Sequence, residues 1–127
     1  MTTDVLVIGT GISGLTYAIK LALLSPKLKI LLLCKKDLTE GNTKYAQGGI
    51  AVVSDFKKDS FEKHIEDTLI AGDGMCDKKI VNFVVREGVD RLKELIEWGI
   101  EFDKKKPNEL DLGREGGHSA QRIVHHK

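Results

Sequence analysis

The chain has 127 residues, 41% hydrophobic and 31% charged, a composition typical of a soluble globular protein. Its 20 basic and 19 acidic residues nearly cancel, which gives no reason to expect a nucleic-acid partner. The sequence contains neither a membrane-length apolar stretch nor a recognisable leader, so we expect a cytoplasmic protein without membrane contact. Cys34 and Cys76 lack the spacing of a zinc site or of a redox pair.

The first predicted element is a buried strand over Val5–Ile8 that runs into a glycine turn and a helix. Gly9, Gly11 and Gly14 have the GxGxxG spacing of a dinucleotide-binding fingerprint. The first glycine allows a tight exit from the strand, the second lets the backbone approach a pyrophosphate, and the third lets the helix pack closely on the strand. The helix N-terminus then offers free N–H groups to the pyrophosphate. A plain strand, turn and helix is the less favoured alternative, because apolar residues continue at helical spacing as far as Leu23.

The second predicted strand completes a parallel βαβ start. The preceding helix should end near Leu24, because Ser25 and Pro26 disfavour its continuation. Leu28–Cys34 then provides the strand. The acidic residue that usually binds the ribose after this strand is missing, which leaves Lys35 as the predicted polar contact at the adenosine end.

The stretch from Leu38 to Val53 lacks a helical period and predicts a long ligand-facing loop. Its glycines Gly48 and Gly49 permit close approach of the backbone to a ligand. A glycine-rich surface connection is the alternative. The position of the stretch, directly after a βαβ start, favours contact with the cofactor.

Two helices are predicted in the middle of the chain. Asp59 begins a capping-box pattern as the predicted N-cap of the first, which Gly72 should end. The second should begin near Asp77 and break or kink at Gly88, because glycine inside a helix costs about 1 kcal/mol relative to alanine. The apolar residues predicted to face inward from this second helix are Val81, Val84, Val85, Leu92, Leu95 and Ile96.

The next stretch predicts a short strand and a surface excursion. Ile100–Asp103 is the predicted strand. Lys104–Leu112 is charged and turn-prone, with Pro107 and Asn108 at its tip.

The C-terminal stretch concentrates charge between glycines. Such spacing permits a close-fitted binding loop that presents Arg114, Glu115 and His118 together. A solvated turn before a helix capped by Ser119 is the alternative, and the residues taken alone favour it. The three histidines of this stretch lack the spacing of a metal site, so no metal is predicted.

Three blocks of sequence, in this order, resemble the N-terminal part of the L-aspartate oxidase family. They are GTGISGL, TEGNTKYAQGGIA and LGREGGHSAQRIVHH, with HIEDTLIAGDGMCD between the last two. The first is shared by many flavoproteins and the second by the succinate dehydrogenase and fumarate reductase flavoprotein superfamily. EDTLIAG together with REGGHS is much more selective.

The resemblance covers essentially the whole chain and implies its fold class. That class is α/β, with a Rossmann-like FAD-binding βαβ start and additional helices, incomplete as a 127-residue chain. Residues 1–127 would be the N-terminal part of an FAD-binding domain, with the remainder of that domain and a substrate-capping domain absent. The chain is also short for a complete nucleotide-dependent oxidoreductase, so we expect a fragment.

The resemblance also implies an activity, which is FAD-dependent oxidation of L-aspartate to iminoaspartate. This is the first step of de novo NAD biosynthesis, with O2 or fumarate as electron acceptor. The quinolinate-forming enzyme of the same pathway is a candidate partner. Two alternatives stay open: a flavoprotein of the fumarate reductase or succinate dehydrogenase type, and a non-catalytic nucleotide-binding module.

The cofactor-binding residues that the resemblance implies fall into three groups, at the pyrophosphate, at the adenosine end and at the flavin. They are Gly9, Thr10, Gly11, Ile12, Ser13 and Gly14; Lys35; and Asn42, Thr43, Lys44, Tyr45, Ala46, Gln47, Gly48 and Gly49. Glu115 matches the glutamate of the family that orients the substrate, and the proton-transferring arginine would lie beyond Lys127. Asn42 stands where the respiratory relatives carry a flavin-bound histidine, so the FAD should be non-covalent.

Overall fold

The structure is a computed structural model that describes residues 2–46, 49–107 and 109–126. The chain divides into two compact units, Met1–Gln47 and Gly48–Lys127. Among the described helices, none combines the length and the apolar character that a membrane span requires.

The first unit is a βαβ start followed by a short helix. Its elements are β1 (Val5–Ile8), α1 (Ile12–Leu24), β2 (Ile30–Leu33) and α2 (Asn42–Tyr45). The two strands are parallel, with Val5 opposite Ile30 and Ile8 opposite Leu33. The predicted parallel pairing is confirmed, and so is the end of α1 at Leu24.

Strand β1, which the sequence predicts as buried, is buried on one face only. Val7 is buried and lies toward α1, whereas Leu6 is 48% and Ile8 79% exposed. Side chains alternate across a strand, and α1 packs on one face of this two-stranded sheet. The apolar composition of a strand therefore did not predict how many faces this unit covers.

Close packing of α1 on β1 depends on Gly14. A Cβ built on Gly14 would lie 2.4 Å from the Gly9 carbonyl oxygen and 3.4 Å from Val7 Cγ1. Gly9 itself has a φ of 101°, a left-handed conformation that favours glycine. These contacts agree with the predicted roles of the first and third glycines of the fingerprint.

The second unit combines two helices with a small antiparallel sheet and a hairpin. Its elements are β3 (Ile50–Ala51), α3 (Phe61–Ala71), α4 (Lys78–Glu97), β4 (Lys104–Lys106), β5 (Glu109–Leu110), β6 (Leu112–Gly113) and β7 (Ile123–Val124). Strand β7 lies between β3 and β6, and β4 pairs with β5. The core consists of Val52, Leu92, Phe102 and Val124, with Val89, Leu95, Leu110 and Leu112 packed against it.

Helix α3 starts one residue later than predicted, because Ser60 and not Asp59 is its N-cap. The Ser60 hydroxyl oxygen accepts a hydrogen bond from the Lys63 amide, 3.2 Å away. The Asp59 carboxylate instead binds Arg122. The predicted end of this helix at Gly72 is confirmed.

Helix α4 runs without interruption through Gly88, so the predicted break is wrong. Val85 and Leu92 are buried on either side of Gly88, and the Asp77 carboxylate caps the first turn. Packing and capping offset the low helix propensity of glycine. Of the residues predicted to face inward, Val85 and Leu92 are buried, while Val84 and Ile96 are exposed.

The C-terminal third contains more strand than its sequence predicts. The predicted strand at Ile100–Asp103 is wrong, because pairing begins one residue later, in β4. The predicted surface excursion is a hairpin, and Asn108 lies outside the described residues. The alternative of a helix after Ser119 is also wrong, because Ile123 and Val124 form the central strand β7, where β-branched side chains pack on both neighbours.

We expect Gly14→Ala to destabilise the first unit by about 1–3 kcal/mol, because the added methyl group overpacks the contact with the Gly9 carbonyl. Gly11→Ala is the matched control. Its added methyl group meets no described atom within 4 Å, and it should cost only about 0.5 kcal/mol through N-cap preference. Hydrogen exchange at the amides of β1 and β2 measures both effects. Equal protection in the two variants would contradict the packing role of Gly14.

Candidate functional site

The N-terminus of α1 is open and ready to bind an anion. Gly11, at the N-cap, has no side chain to occupy the space, and a Cβ built on it would meet no described atom within 4 Å. The first turn of α1 contains no acidic residue. Free backbone N–H groups and the positive end of the helix dipole therefore face an uncrowded surface, as a pyrophosphate requires.

The predicted ligand-facing loop reaches this helix N-terminus within the first unit. The Ile12 amide donates a hydrogen bond of 3.2 Å to Thr43 Oγ1. Thr43 lies in α2, so the prediction that the loop has no helix is wrong over these four residues. The contact brings together two of the three groups that the sequence predicted for the cofactor.

Most of the other predicted cofactor residues of the first unit are exposed. Lys35 is exposed and follows β2 by two residues, at the same carboxyl edge of the sheet as the glycine turn. Tyr45 donates a 2.9 Å hydrogen bond to Glu40, and Lys44 Nζ lies 5.5 Å from the centroid of the Tyr45 ring. Thr10 is buried, whereas Ile12, Ser13, Asn42 and Ala46 are exposed.

Of the paired glycines Gly48 and Gly49 in the predicted loop, the structure describes Gly49. Gln47 and Gly48 lie outside the described residues. Gly49 belongs to the second unit, where a Cβ built on it would lie 2.4 Å from the Val124 carbonyl oxygen and 3.0 Å from His125 Cδ2. Packing on β7 therefore already requires glycine at this position. Contact of Gly49 with the cofactor stays a prediction.

Arg122 is the centre of a buried ionic cluster in the second unit. The side chain is fully buried, and it donates through Nε and Nη2 to the two Asp59 oxygens at 2.8 and 2.7 Å. Nη1 donates to Asp67 Oδ2 at 2.6 Å and to His118 Nδ1 at 3.1 Å. Because a guanidinium only donates, the Nδ1 atom of His118 acts as the acceptor. The bidentate pairing of Arg122 with Asp59 has the geometry that makes arginine ion pairs strong.

The same cluster fixes the loop that carries Glu115. Asp67 Oδ2 accepts hydrogen bonds of 2.8 Å from both the amide and the hydroxyl of Ser119. The Arg122 amide donates to the Gly113 carbonyl at 3.0 Å, which closes the loop at its base. The predicted presentation of Arg114, Glu115 and His118 together is wrong, because His118 points inward to the cluster while Glu115 stays outside it.

Glu115 is half exposed and pairs with a histidine. Its Oε1 atom lies 3.2 Å from His125 Nε2, and the side chain is 49% exposed. The turn around Gly117, which has a φ of 82°, brings the chain back toward the cluster. The loop therefore has a buried side that fixes it and an open side that presents one carboxylate.

His64 completes the buried side of the cluster. Its ring lies edge-on to the His118 ring, with centroids 5.6 Å apart, and only 6% of the residue is exposed. Its buried Nδ1 atom has no hydrogen-bond partner in the part of the chain that the structure describes. A buried imidazole without a partner for Nδ1 stays neutral, because a charged ring would be both desolvated and close to Arg122.

Ionisation in the cluster follows from these contacts. Burial raises the pKa of Asp59, but hydrogen bonds from Arg122 and the Ser60 amide outweigh it and hold the pKa below 3.8. Asp67 has its pKa lowered in the same way, by Ser119 and Arg122 against burial. Burial lowers the pKa of His64 below 6.5, and the charge of Arg122 lowers it further.

Sequence analysis missed this cluster. Arg122 is 55 positions from Asp67 and 63 positions from Asp59, and no local sequence pattern links residues so far apart. One signal was present in α3. His64 and Asp67 are spaced so that they lie on the same face of the helix as Phe61 and Thr68, where buried polar groups need partners. The partner itself could be found only from the tertiary structure.

Two further features of the described residues are relevant to a ligand site: groups of metal-binding side chains, and cavities. No group of three or more histidine, cysteine, aspartate or glutamate side chains among them is arranged to hold a metal ion. An open cavity of about 690 Å³ in the second unit is lined partly by Lys57, Lys63 and Lys105. Neither Glu115 nor His125 lines it.

Comparison with a family model identifies the class of the protein. A model described as an FAD binding domain matches residues 4–127. The chain therefore belongs to the FAD-binding domain family, and FAD is its cofactor. The open glycine turn at Gly11 and the N-terminus of α1, whose first turn has no acidic residue, fit the pyrophosphate of this group.

Similar proteins narrow the class further. The L-aspartate oxidase of Vibrio cholerae is 46% identical over 127 residues, which is 96% of this chain and 23% of that protein. A chloroplastic L-aspartate oxidase of Nicotiana tabacum is 45% identical over 122 residues, covering 96% of this chain and 18% of the relative. The chain thus spans about a fifth of the length of the curated relatives that it matches. The predicted family resemblance is confirmed.

Solved structures support the same fold. The E. coli quinol fumarate reductase FrdA matches with a TM-score of 0.85 and 31% identity, over 98% of this chain and 21% of that one. Mycobacterium smegmatis Sdh1 matches with a TM-score of 0.83 and 29% identity, over 98% and 21%. The predicted α/β, Rossmann-like FAD-binding fold is confirmed.

We expect the stability of the second unit to fall as the pH drops below 6.5. The folded pKa of His64 is lowered, so in this window the unfolded chain binds a proton that the folded chain does not. The loss should end once the pH passes below the folded pKa of His64. His64→Leu should abolish this window, and hydrogen exchange of peptides covering residues 60–72 between pH 5 and 8 measures it.

The exposed His126 provides the matched control for this experiment, because His126→Asn should keep the window. A further loss of stability should appear below about pH 4 in all variants, as Asp59 and Asp67 become protonated. If the loss of stability below pH 6.5 persists in His64→Leu, a group other than His64 causes it.

Proposed function

We propose that the whole protein oxidises L-aspartate to iminoaspartate on FAD, with O2 or fumarate as the electron acceptor. This reaction would be the first step of de novo NAD biosynthesis. A cytoplasmic location and an interaction with the quinolinate-forming enzyme are predictions from the family resemblance. The N-terminal part of the FAD-binding domain would be the contribution of residues 1–127.

The observation that carries the proposal is the identity to L-aspartate oxidases over almost the whole chain. It reaches 46% with the enzyme of Vibrio cholerae, against 31% with a fumarate reductase of the same fold. The matching region includes both the glycine turn and the Glu115 loop. A general FAD-binding function would require only the first of these.

Glu115 provides a chemical reason for the choice of substrate. Among the described residues, Oε1 is the carboxylate oxygen of Glu115 that has a hydrogen-bond partner, which leaves Oε2 open. L-Aspartate carries an ammonium group that succinate and fumarate lack. A charge-assisted hydrogen bond from this ammonium group to Glu115 would favour the amino acid over a plain dicarboxylate.

The residues of the first unit would hold the FAD without a covalent bond. The backbone from Gly9 to Gly14 would bind the pyrophosphate, Lys35 the adenosine end, and the stretch from Asn42 onward the flavin side. When bound, FAD accepts the two electrons that leave the substrate. An amide is no nucleophile toward the flavin methyl group, so Asn42 could not form the bond made by a histidine in the respiratory relatives.

A fumarate reductase or succinate dehydrogenase is the second candidate, because the FrdA structure matches with a TM-score of 0.85. Asn42 and Glu115 both speak against it. A non-catalytic nucleotide-binding module is the third, and turnover of any dicarboxylate or amino acid by the purified protein would eliminate it.

We expect all flavin to be released from the whole protein by acid precipitation, because Asn42 replaces the histidine that carries covalent flavin. The absorbance of the supernatant, compared with that of the intact protein, measures the released fraction. A covalently flavinylated succinate dehydrogenase is the positive control. Yellow colour that stays in the protein pellet would contradict the prediction.

We expect Glu115→Gln to lower kcat/KM for L-aspartate by about 10- to 150-fold, the equivalent of one charge-assisted hydrogen bond of about 1.5–3 kcal/mol. Fumarate reduction by the same preparation should change by less than about threefold, since fumarate has no ammonium group to lose a partner. Steady-state kinetics with both substrates measures the difference.

Glu97→Gln, at an exposed position at the end of α4, is the matched control and should leave both activities unchanged. Equal losses for L-aspartate and fumarate in Glu115→Gln would assign Glu115 a structural role.

A further inference from the structure

His125 is confined at the end of strand β7. Its carbonyl oxygen accepts a hydrogen bond of 2.9 Å from the Asp103 amide. Its ring packs against glycine backbone: a Cβ built on Gly113 would lie 2.7 Å from ring atom Cε1, and one built on Gly49 would lie 3.0 Å from Cδ2. Only glycine leaves room for the ring at these two positions, so the backbone of two neighbouring segments restricts its orientation.

The confined ring is the partner of Glu115. Nε2 of His125 lies 3.2 Å from Oε1 of Glu115, and an ionised carboxylate only accepts hydrogen bonds, so Nε2 is the donor. Ten residues separate the two side chains in sequence. His125, the residue after β7, thus supports the Glu115 carboxylate, which belongs to a different, half-exposed loop.

This support matters because a free glutamate side chain samples many rotamers. A carboxylate that must meet an ammonium group gains from being held before the substrate arrives, since less conformational freedom is then lost on binding. The bond to Oε1 holds the group while Oε2 stays open. The confined His125 ring therefore presents Glu115 in one orientation.

We propose that His125 is a positioning residue for Glu115, which donates its Nε2–H to one carboxylate oxygen so that the other binds the substrate ammonium group. His125 thereby contributes to the preference for an amino dicarboxylate over a plain dicarboxylate. This inference rests on the proposed function. It adds the residue after β7 to the proposed specificity site, whereas the sequence pattern gave His125 no role.

The test compares two variants of His125 in the whole protein. Gln places an amide N–H near the position of Nε2, whereas Asn is shorter and cannot reach Glu115. We expect His125→Asn to lower kcat/KM for L-aspartate by about 3- to 10-fold, the equivalent of one ordinary hydrogen bond, with fumarate reduction nearly unchanged. His125→Gln should recover most of the loss. The ratio of the two activities in one preparation does not depend on the fraction of protein that is folded.

Combination with Glu115→Gln tests whether His125 acts through Glu115. The double variant His125→Asn/Glu115→Gln should be no worse toward L-aspartate than Glu115→Gln alone, because the two residues act as one unit. His126→Asn is the matched control. The His126 ring contacts the Glu101 carbonyl, and its loss should leave the activity ratio unchanged.

The outcomes separate the inference from the function on which it rests. Equal losses of both activities in His125→Asn, or losses that add fully to those of Glu115→Gln, would overturn the positioning role while the proposed function stands. Wild-type protein that reduces fumarate but never oxidises L-aspartate would overturn both. A selective loss that Gln recovers and that disappears in the Glu115→Gln background would establish the role.

Discussion

The second unit depends on the buried guanidinium of Arg122. A desolvated charge is costly unless it is paired, and here Asp59 and Asp67 supply the opposite charges. These two carboxylates lie just before α3 and in its second half, while Arg122 directly precedes β7. The ion pairs therefore fix helix and strand relative to each other. Asp67 also binds Ser119, and the Arg122 amide closes the loop at Gly113, so Arg122 and its partner Asp67 hold both ends of the Glu115 loop.

The two units leave different polar groups open. In the first, these are backbone amides at the N-terminus of α1, where Gly11 has no side chain and Thr43 accepts from the Ile12 amide. In the second, the open group is a side-chain carboxylate. The buried cluster around Arg122 holds the loop, and the Glu115 carboxylate on that loop is paired with His125. A diphosphate suits the first arrangement, since amides can wrap around several oxygens. Under the proposed function, the open carboxylate oxygen of the second would accept from an ammonium group.

Polar residues inside the second unit have a cost that is visible at His64. Its Nδ1 atom is buried without a partner among the described residues, and Arg122 lies close enough to oppose its protonation. Protonation of His64 at acid pH would therefore add a second buried positive charge beside Arg122. Core residues Val52 and Val124 lie beside this network. The Val52 amide donates to the Arg122 carbonyl, and Val124 follows Arg122 by two residues.

The sequence by itself determined the local features: the βαβ start, the turn at Gly9, the end of α3 at Gly72 and the family, since glycine conformations and helix periods depend on neighbouring residues. Tertiary structure decided the rest. Burial of Val85 and Leu92 kept α4 continuous through Gly88, and pairing between β3 and β6 made a strand of the predicted C-terminal helix. Asp59 became a partner of Arg122 and not a helix cap, and His125 became a partner of Glu115. Contacts between residues far apart in sequence decide such cases, because burial and desolvation arise only once those residues meet.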